Sequence, residues 1–146
     1  MTTNQAIQVG NDANTGGKGL HIGLWVAQGL LALLFLGAGL MKTTAPIEQL
    51  QAKMAWIGND MGPLVRFIGI SEVLGGLGLI LPAATRIKPW LTPLAALGIA
   101  TIMVLGAATH ASLGEFPAIG VNVVLLGLAL FVAWGRWKKA PIAARD

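Results

Sequence analysis

Four long apolar windows dominate this sequence and leave few folds open to it. Each window holds 19 to 21 residues between charged or titratable positions, and Glu72 is the one acid inside them. A helix rises about 1.5 Å per residue and the hydrocarbon core of a bilayer is about 30 Å thick, so each window predicts one membrane span. No alternation of period two runs through them, which argues against a membrane β-barrel. The windows are residues 22–41, 67–85, 89–109 and 116–135.

The composition supports an all-α membrane protein. Hydrophobic residues make up 55% of the 146-residue chain and charged residues 11%, and the mean hydropathy is +0.71. We therefore predict a four-helix transmembrane bundle, embedded in the lipid bilayer, with one domain at residues 20–137. Its spans are expected at about residues 20–41, 64–82, 89–110 and 118–136. Residues 1–19 and 138–146 are predicted to be cytoplasmic tails, the first of them mobile because it is polar and rich in glycine.

A short amphipathic helix is expected between the first two spans, at about residues 45–57. Ile47, Leu50, Met54 and Ile57 recur at helical spacing and form one apolar face. Two arrangements satisfy this pattern. The helix can lie on the membrane surface, or it can fold over the mouth of the bundle as a lid with Trp56 at headgroup level.

The distribution of basic residues predicts the orientation. With four spans, seven Lys and Arg residues fall on the side of the termini and three on the other side. The positive-inside rule then places both termini in the cytoplasm of a multi-pass protein of the inner (plasma) membrane. Because the basic residues flank spans, the net charge of +4 indicates membrane topology and no nucleic-acid partner.

Polar residues gather at the outer ends of the spans and define a candidate site. An ionised acid near the centre of a membrane helix costs about 2.5–3.5 kcal/mol, so Glu72 needs a partner or a ligand. Arg66 lies six residues away, about 120° around the helix, and a donor from another span is therefore expected. A buried network that only fixes the helices remains the alternative. The candidate ligand-binding or proton-site residues are Glu72, Arg66, His110, Asn122, Lys42, Trp56 and Glu115.

The sequence lacks a self-sufficient catalytic apparatus. Cysteine is absent, which excludes thiol exchange and thiolate-bound clusters within the chain. His21 and His110 fall at opposite membrane faces, so they cannot both ligate one haem, and no metal-ligand spacing is present. We expect no covalent or metal cofactor, no metal site, and at most a role as one subunit of an oxidoreductase assembly.

Several stretches together resemble the DoxX-like family of small four-span membrane proteins. They are GAGLMK, MAWIG, RFIGISEVLGGLGLILPA, ATH followed by GE, and NVVLLGLALFVAWGR, and they extend from about Leu24 to Arg136. The most specific positions are Arg66, Gly69, Glu72 and Gly75. The loop after His110 departs from the family, because it reads ASLGE where relatives are often more basic.

The resemblance implies a four-helix bundle and an association with membrane oxidoreductase assemblies, including quinone-linked sulfur oxidation and antioxidant complexes. The first functional hypothesis is thus a redox-associated membrane subunit or anchor that binds a lipophilic molecule, with quinone the favoured ligand. Its expected partners are other subunits of a membrane complex or further copies of itself. The second hypothesis is a non-redox role as a small transporter, lipid-binding protein or assembly factor, with Glu72 purely structural.

Overall fold

The structure is a computed structural model that describes residues 2–146, with side chains described outside residues 7–16. Within this range the chain is helical and contains no strand. The all-α prediction and the four-helix bundle are confirmed. The helices are α1 (Thr3–Thr44), α2 (Ile47–Lys53), α3 (Gly62–Thr85), α4 (Leu91–Leu113) and α5 (Phe116–Trp134), and α5 continues into a π-helical turn at Gly135–Lys139.

Four of these helices are long and apolar enough to cross a membrane. The candidate spans are Gly17–Thr44, Gly62–Thr85, Leu91–Ser112 and Phe116–Lys139, close to the four predicted from the sequence. The protein is therefore a multi-pass membrane protein. Large apolar side chains such as Leu33, Leu74 and Val124 are exposed on the outside of the bundle, where a bilayer would cover them.

The first helix differs most from its prediction. Helix α1 begins at Thr3, whereas the first span was expected to begin at about residue 20. The apolar segment itself starts at Gly17, so residues 3–16 extend the helix beyond the span. At its start the Thr2 backbone N–H donates to the Gln5 side chain at 3.1 Å, which satisfies one of the free amides of a helix N-terminus. The mobility of residues 1–19 stays a prediction, and the side chains of residues 7–16 lie outside the described part.

Close contact between α1 and α3 organises the bundle. A Cβ atom on Gly39 would lie 2.7 Å from the Gly69 carbonyl oxygen, and one on Gly69 would lie 2.8 Å from the Lys42 Cβ. The two backbones can approach this closely only because both residues are glycine. The apolar core beside this contact includes Leu31, Leu79 and further residues from all four spans.

The segment between the first two spans folds onto the protein. Helix α2 is shorter than the predicted 45–57, because it ends at Lys53 and Met54 is its C-cap. The apolar side chains of α2 and of the segment after it nevertheless pack together: Leu50 and Ile57 are buried with Val65 of α3. Trp56 packs against this cluster. These contacts hold the segment against the start of α3, and both arrangements expected from the sequence, on the membrane surface or over the mouth of the bundle, stay predictions.

The spans alternate in direction, which gives the bundle two ends. The Lys42 end comprises the end of α1, the start of α3, the end of α4 and the start of α5. The Arg136 end comprises residues around His21, the α3–α4 connection and the π-helical turn. Each end contains a buried charged side chain and a cavity.

Candidate ligand-binding site at the Lys42 end

The acid inside the second span forms an ion pair with the first span. Lys42 Nζ lies 2.8 Å from both Oε1 and Oε2 of Glu72. Lys42 is 8% exposed and Glu72 5% exposed. Glu72 thus meets a donor from another helix, as its depth in the span requires.

The glycine contact between α1 and α3 sets the geometry of this pair. Gly69 precedes Glu72 by nearly one helical turn, and its missing side chain lets Lys42 Cβ approach the α3 backbone. Lys42 follows Gly39 by three residues, so the two glycines and the two charged residues lie along one seam. The ion pair therefore depends on close packing of the helices as well as on charge.

Arg66 donates its hydrogen bonds to the backbone at the end of α1. Its guanidinium donates from Nη1 to the Lys42 carbonyl oxygen at 2.5 Å and from Nη2 to the Ala45 carbonyl oxygen at 2.7 Å. The last carbonyls of a helix have no partner within the helix, so Arg66 caps the end of α1. By binding the backbone of Lys42 it positions the residue that contacts Glu72.

A cavity of about 230 Å³ lies beside the ion pair. It is bounded by α1, α3 and α4 and by Trp56 from the segment after α2. Polar atoms are few, and most of the wall is apolar. Its lining residues are Lys42, Trp56, Phe67, Ile68, Ser71, Glu72, Ile102, Met103, Leu105, Gly106 and Thr109.

The walls of this cavity continue onto the outer surface of the bundle. Phe67 of α3 is 67% exposed and Leu105 of α4 is 63% exposed, and both line the cavity. Both residues belong to apolar spans, so their exposed faces point towards lipid. This side of the cavity is therefore formed by residues of α3 and α4 that also lie on the outer surface of the bundle.

The hydrogen-bonding capacity of the lining is largely used within the protein. The Ser71 hydroxyl donates to the Phe67 carbonyl oxygen at 2.9 Å, and the Thr109 hydroxyl donates to the Leu105 carbonyl oxygen at 2.9 Å. The ammonium of Lys42 has three donor hydrogens, and its recorded hydrogen-bond partners among the described residues are the two oxygens of Glu72. The cavity therefore offers a charged donor to a ligand acceptor.

The other predicted site residues lie around this cavity without lining it. His110 Nδ1 is 2.6 Å from Glu115 Oε2, so these two residues join the end of α4 to the start of α5. Asn122 is buried, and its Nδ2 has no hydrogen-bond partner among the described residues. It packs against Gly106, on which a Cβ would lie 3.4 Å from that nitrogen. Of the seven candidate residues, Lys42, Glu72 and Trp56 line the cavity.

At the opposite end, Arg136 is buried although it lies at the end of a span. It is 4% exposed. Its Nε donates to Gln28 Oε1 at 2.6 Å, and Gln28 Nε2 donates to the Leu79 carbonyl oxygen at 2.6 Å. Gln28 therefore forms hydrogen bonds between helices. It is the one strongly polar residue in the apolar window 22–41, and this was the available signal that a polar partner lies buried nearby.

Metal binding has no support from the described side chains. Outside residues 7–16 no group of three or more His, Asp or Glu residues is placed to hold an ion. The chain has no cysteine. The cavity at the Lys42 end has a mostly apolar lining, and the Lys42–Glu72 ion pair is its charged part.

The match to a known family agrees with this geometry. The model of the DoxX-like family matches residues 26–132. The chain belongs to the DoxX-like family. The matched segment includes both members of the ion pair and every residue that lines the cavity. No curated protein sequence and no solved structure matches this DoxX-like chain.

Proposed function

We propose that this DoxX-like protein binds a lipophilic molecule with a polar, acceptor-bearing head group in the cavity beside Lys42 and Glu72. A quinone is the best candidate, and the protein serves as a membrane subunit or anchor of a redox assembly. The chain belongs to the DoxX-like family, and the resemblance described in the sequence analysis implies this role. The chain has no cysteine, so electrons come from a partner subunit.

The observation that supports the proposal is the pairing of an apolar, lipid-accessible cavity with a charged donor. A cavity of about 150 Å³ in a protein core can hold a benzene molecule, so about 230 Å³ accommodates a substituted six-membered ring. A quinone carbonyl would accept from the Lys42 ammonium. Its isoprenoid tail would leave between Phe67 and Leu105 into the bilayer.

The direct test is to purify the protein in mild detergent and identify bound small molecules by mass spectrometry. A cavity-filling variant, Ser71→Phe, is compared with Thr101→Phe. Ser71 and Thr101 each donate to a carbonyl four residues earlier in a span, but Thr101 is absent from the cavity lining. We expect quinone on the wild type and on Thr101→Phe, and loss from Ser71→Phe. A wild type without bound quinone, or equal retention in both variants, contradicts the proposal.

A second candidate function is non-redox lipid binding, as in a small transporter or an assembly factor. It is favoured by the satisfaction of Glu72 within the protein, since both carboxylate oxygens contact Lys42. The same mass spectrometry separates the two functions. A phospholipid in the cavity with no quinone and no co-purifying redox subunit supports this second candidate, whereas a quinone supports the first.

We also propose that the protein lies in the inner (plasma) membrane with both termini in the cytoplasm. The seven-to-three distribution of Lys and Arg supports this orientation, and it makes the Lys42 end the outer one. Reporter fusions after Asp146 and in the loop near Lys53 test it. An active cytoplasmic reporter is expected at Asp146 and an external one near Lys53, and an external C-terminus contradicts the assignment.

A further inference from the structure

The Arg136 end contains a buried cation without an acid beside it. Arg136 forms no salt bridge with any described side chain. Its described hydrogen-bond partners are the neutral Gln28, the Ala140 carbonyl oxygen at 3.2 Å from Nη1, and a ring nitrogen of His21. The guanidinium also lies over the Trp25 ring, with Cζ 5.3 Å from its centroid. A buried charge normally has a counterion, because desolvation is costly.

The contacts of the guanidinium are also incomplete. Nη2 is buried and has no hydrogen-bond partner among the described residues. Nη1 lies 3.1 Å from His21 Nδ1, while Trp25 Nε1 donates to His21 Nε2 at 3.1 Å. A neutral imidazole has one acceptor nitrogen and one N–H. His21 therefore cannot accept from both, and either Arg136 or Trp25 lacks this hydrogen bond.

Arg136 lines a second cavity, of about 360 Å³. Trp90 and Trp137 form aromatic walls, and Ile142 and Ala144 of the C-terminal segment close it from another side. That segment is attached to the α3–α4 connection, because the Arg145 N–H donates to the Arg86 carbonyl oxygen at 3.1 Å. The cavity is therefore a built feature of the fold at the end of the spans. We refer to it as the Arg136 cavity.

The surroundings of the Arg136 cavity favour an anion at the membrane interface. The two connected segments that border it, residues 86–90 and 136–146, carry six Lys and Arg residues and one Asp. Tryptophan is typical of the headgroup region of a membrane. A guanidinium matches the geometry of a phosphate, to which it donates two parallel hydrogen bonds.

We propose that the Arg136 cavity is a binding site for a phosphate group that provides the missing counterion of Arg136. The group is carried by an anionic phospholipid or supplied as inorganic phosphate. The interfacial position and the tryptophan walls favour the lipid. This site is separate from the cavity beside Lys42 and does not depend on the function proposed for that cavity.

Two matched pairs of variants test the site. Arg136→Gln removes the buried charge, and Lys139→Gln removes the same charge from an exposed position of the same turn. Ala144→Glu places a carboxylate at the cavity lining to compete with the phosphate, and Ala143→Glu adds the same charge one residue away, outside the lining. The alanine pair leaves Arg136 and its hydrogen bonds intact. If Arg136→Gln does not fold, the alanine pair alone tests whether the cavity binds phosphate.

Binding is measured on the purified protein with short-chain phosphatidylglycerol, short-chain phosphatidylcholine and inorganic phosphate, by native mass spectrometry and thermal shift. We expect phosphatidylglycerol to bind at least about tenfold more weakly to Arg136→Gln than to Lys139→Gln. We expect the same difference between Ala144→Glu, which binds more weakly, and Ala143→Glu. Binding that inorganic phosphate displaces identifies the free anion as a ligand, and undisplaced binding identifies the lipid. Equal affinities within either folded pair, or no preference for phosphatidylglycerol over phosphatidylcholine, overturn the proposal.

Discussion

The two ends of the bundle bury charge in different ways. At the Lys42 end, Glu72 and Lys42 neutralise each other at 2.8 Å, and a mostly apolar cavity lies beside them. At the Arg136 end, a single guanidinium is surrounded by an amide, a carbonyl, an imidazole and an indole. The first arrangement is complete without a ligand, and the second lacks a counterion among the described residues.

The ligands proposed for the two ends differ for this reason. A neutral ion pair imposes no net charge on its cavity, so an uncharged molecule with a polar head suits the Lys42 end. An unpaired cation favours an anion, which suits the Arg136 end. Both expectations require that the hydrogen bonds and ion pair described above stabilise the buried charges. The free energy of unfolding of variants in detergent tests this at each end.

The largest effect is expected when the ion pair is broken at one member. Lys42→Met leaves Glu72 buried without its partner and should lower the free energy of unfolding by about 3–5 kcal/mol. The double variant Lys42→Met/Glu72→Gln removes both charges and should recover part of this loss. Chemical denaturation in detergent measures both. A single variant as stable as the double would mean that Glu72 is not held by Lys42.

A smaller loss is expected at the Arg136 end. Gln28→Leu removes the acceptor for Arg136 Nε and the donor to the Leu79 carbonyl oxygen, and should cost about 2–3 kcal/mol. Gln49→Leu is the control, because Gln49 is exposed on α2. That change should stay within about 0.5 kcal/mol. Equal unfolding curves for the two variants would show that Arg136 does not need its neutral partners.

The glycine seam should respond less strongly than either charged group. Gly69→Ala places a Cβ 2.8 Å from Lys42 Cβ and 2.9 Å from the Gly39 carbonyl oxygen, and should cost about 1–2 kcal/mol through overpacking. Gly98→Ala meets no atom within 4 Å and should be neutral or gain up to about 1 kcal/mol in helix propensity. Thermal unfolding of both variants measures the difference. If Gly69→Ala is neutral, α1 and α3 can separate without cost.

The smallest effect is expected for His110 and Glu115. Their side chains are partly exposed, and such pairs contribute about 0–1 kcal/mol. Glu115→Gln should therefore change stability by less than 1 kcal/mol and leave ligand binding at the Lys42 end intact, because neither residue lines that cavity. A large loss of quinone retention in this variant would show that His110 and Glu115 contribute to ligand binding.

The sequence was sufficient for the spans because their signal is local. Hydropathy and length define an apolar segment without any knowledge of its neighbours. The cost of its charge predicted that Glu72 needs a donor from another helix. The sequence did not identify Lys42 as that donor, because the contact depends on how closely α1 approaches α3 at Gly39 and Gly69. Such an approach is a property of two segments together.

Arg136 illustrates the opposite case. A basic residue beside Trp134 and Trp137 at the end of a span is typical of an interface, and local pattern predicts exposure. Burial results from partners 108 and 115 residues away, Gln28 and His21. No local pattern carries this information.

The most direct test of the proposed function is the affinity of a short-chain quinone for Glu72→Gln, measured beside its thermal stability. The amide can still accept a hydrogen bond from Lys42, but it carries no charge, so the ammonium loses the counterion that positions it beside the cavity. We expect a folded bundle with at least about tenfold weaker binding, while Asn122→Ala, which alters a residue outside the cavity lining, stays within about twofold of wild type. Unchanged quinone affinity in Glu72→Gln would contradict the account and leave the Lys42–Glu72 pair as a structural contact between two helices.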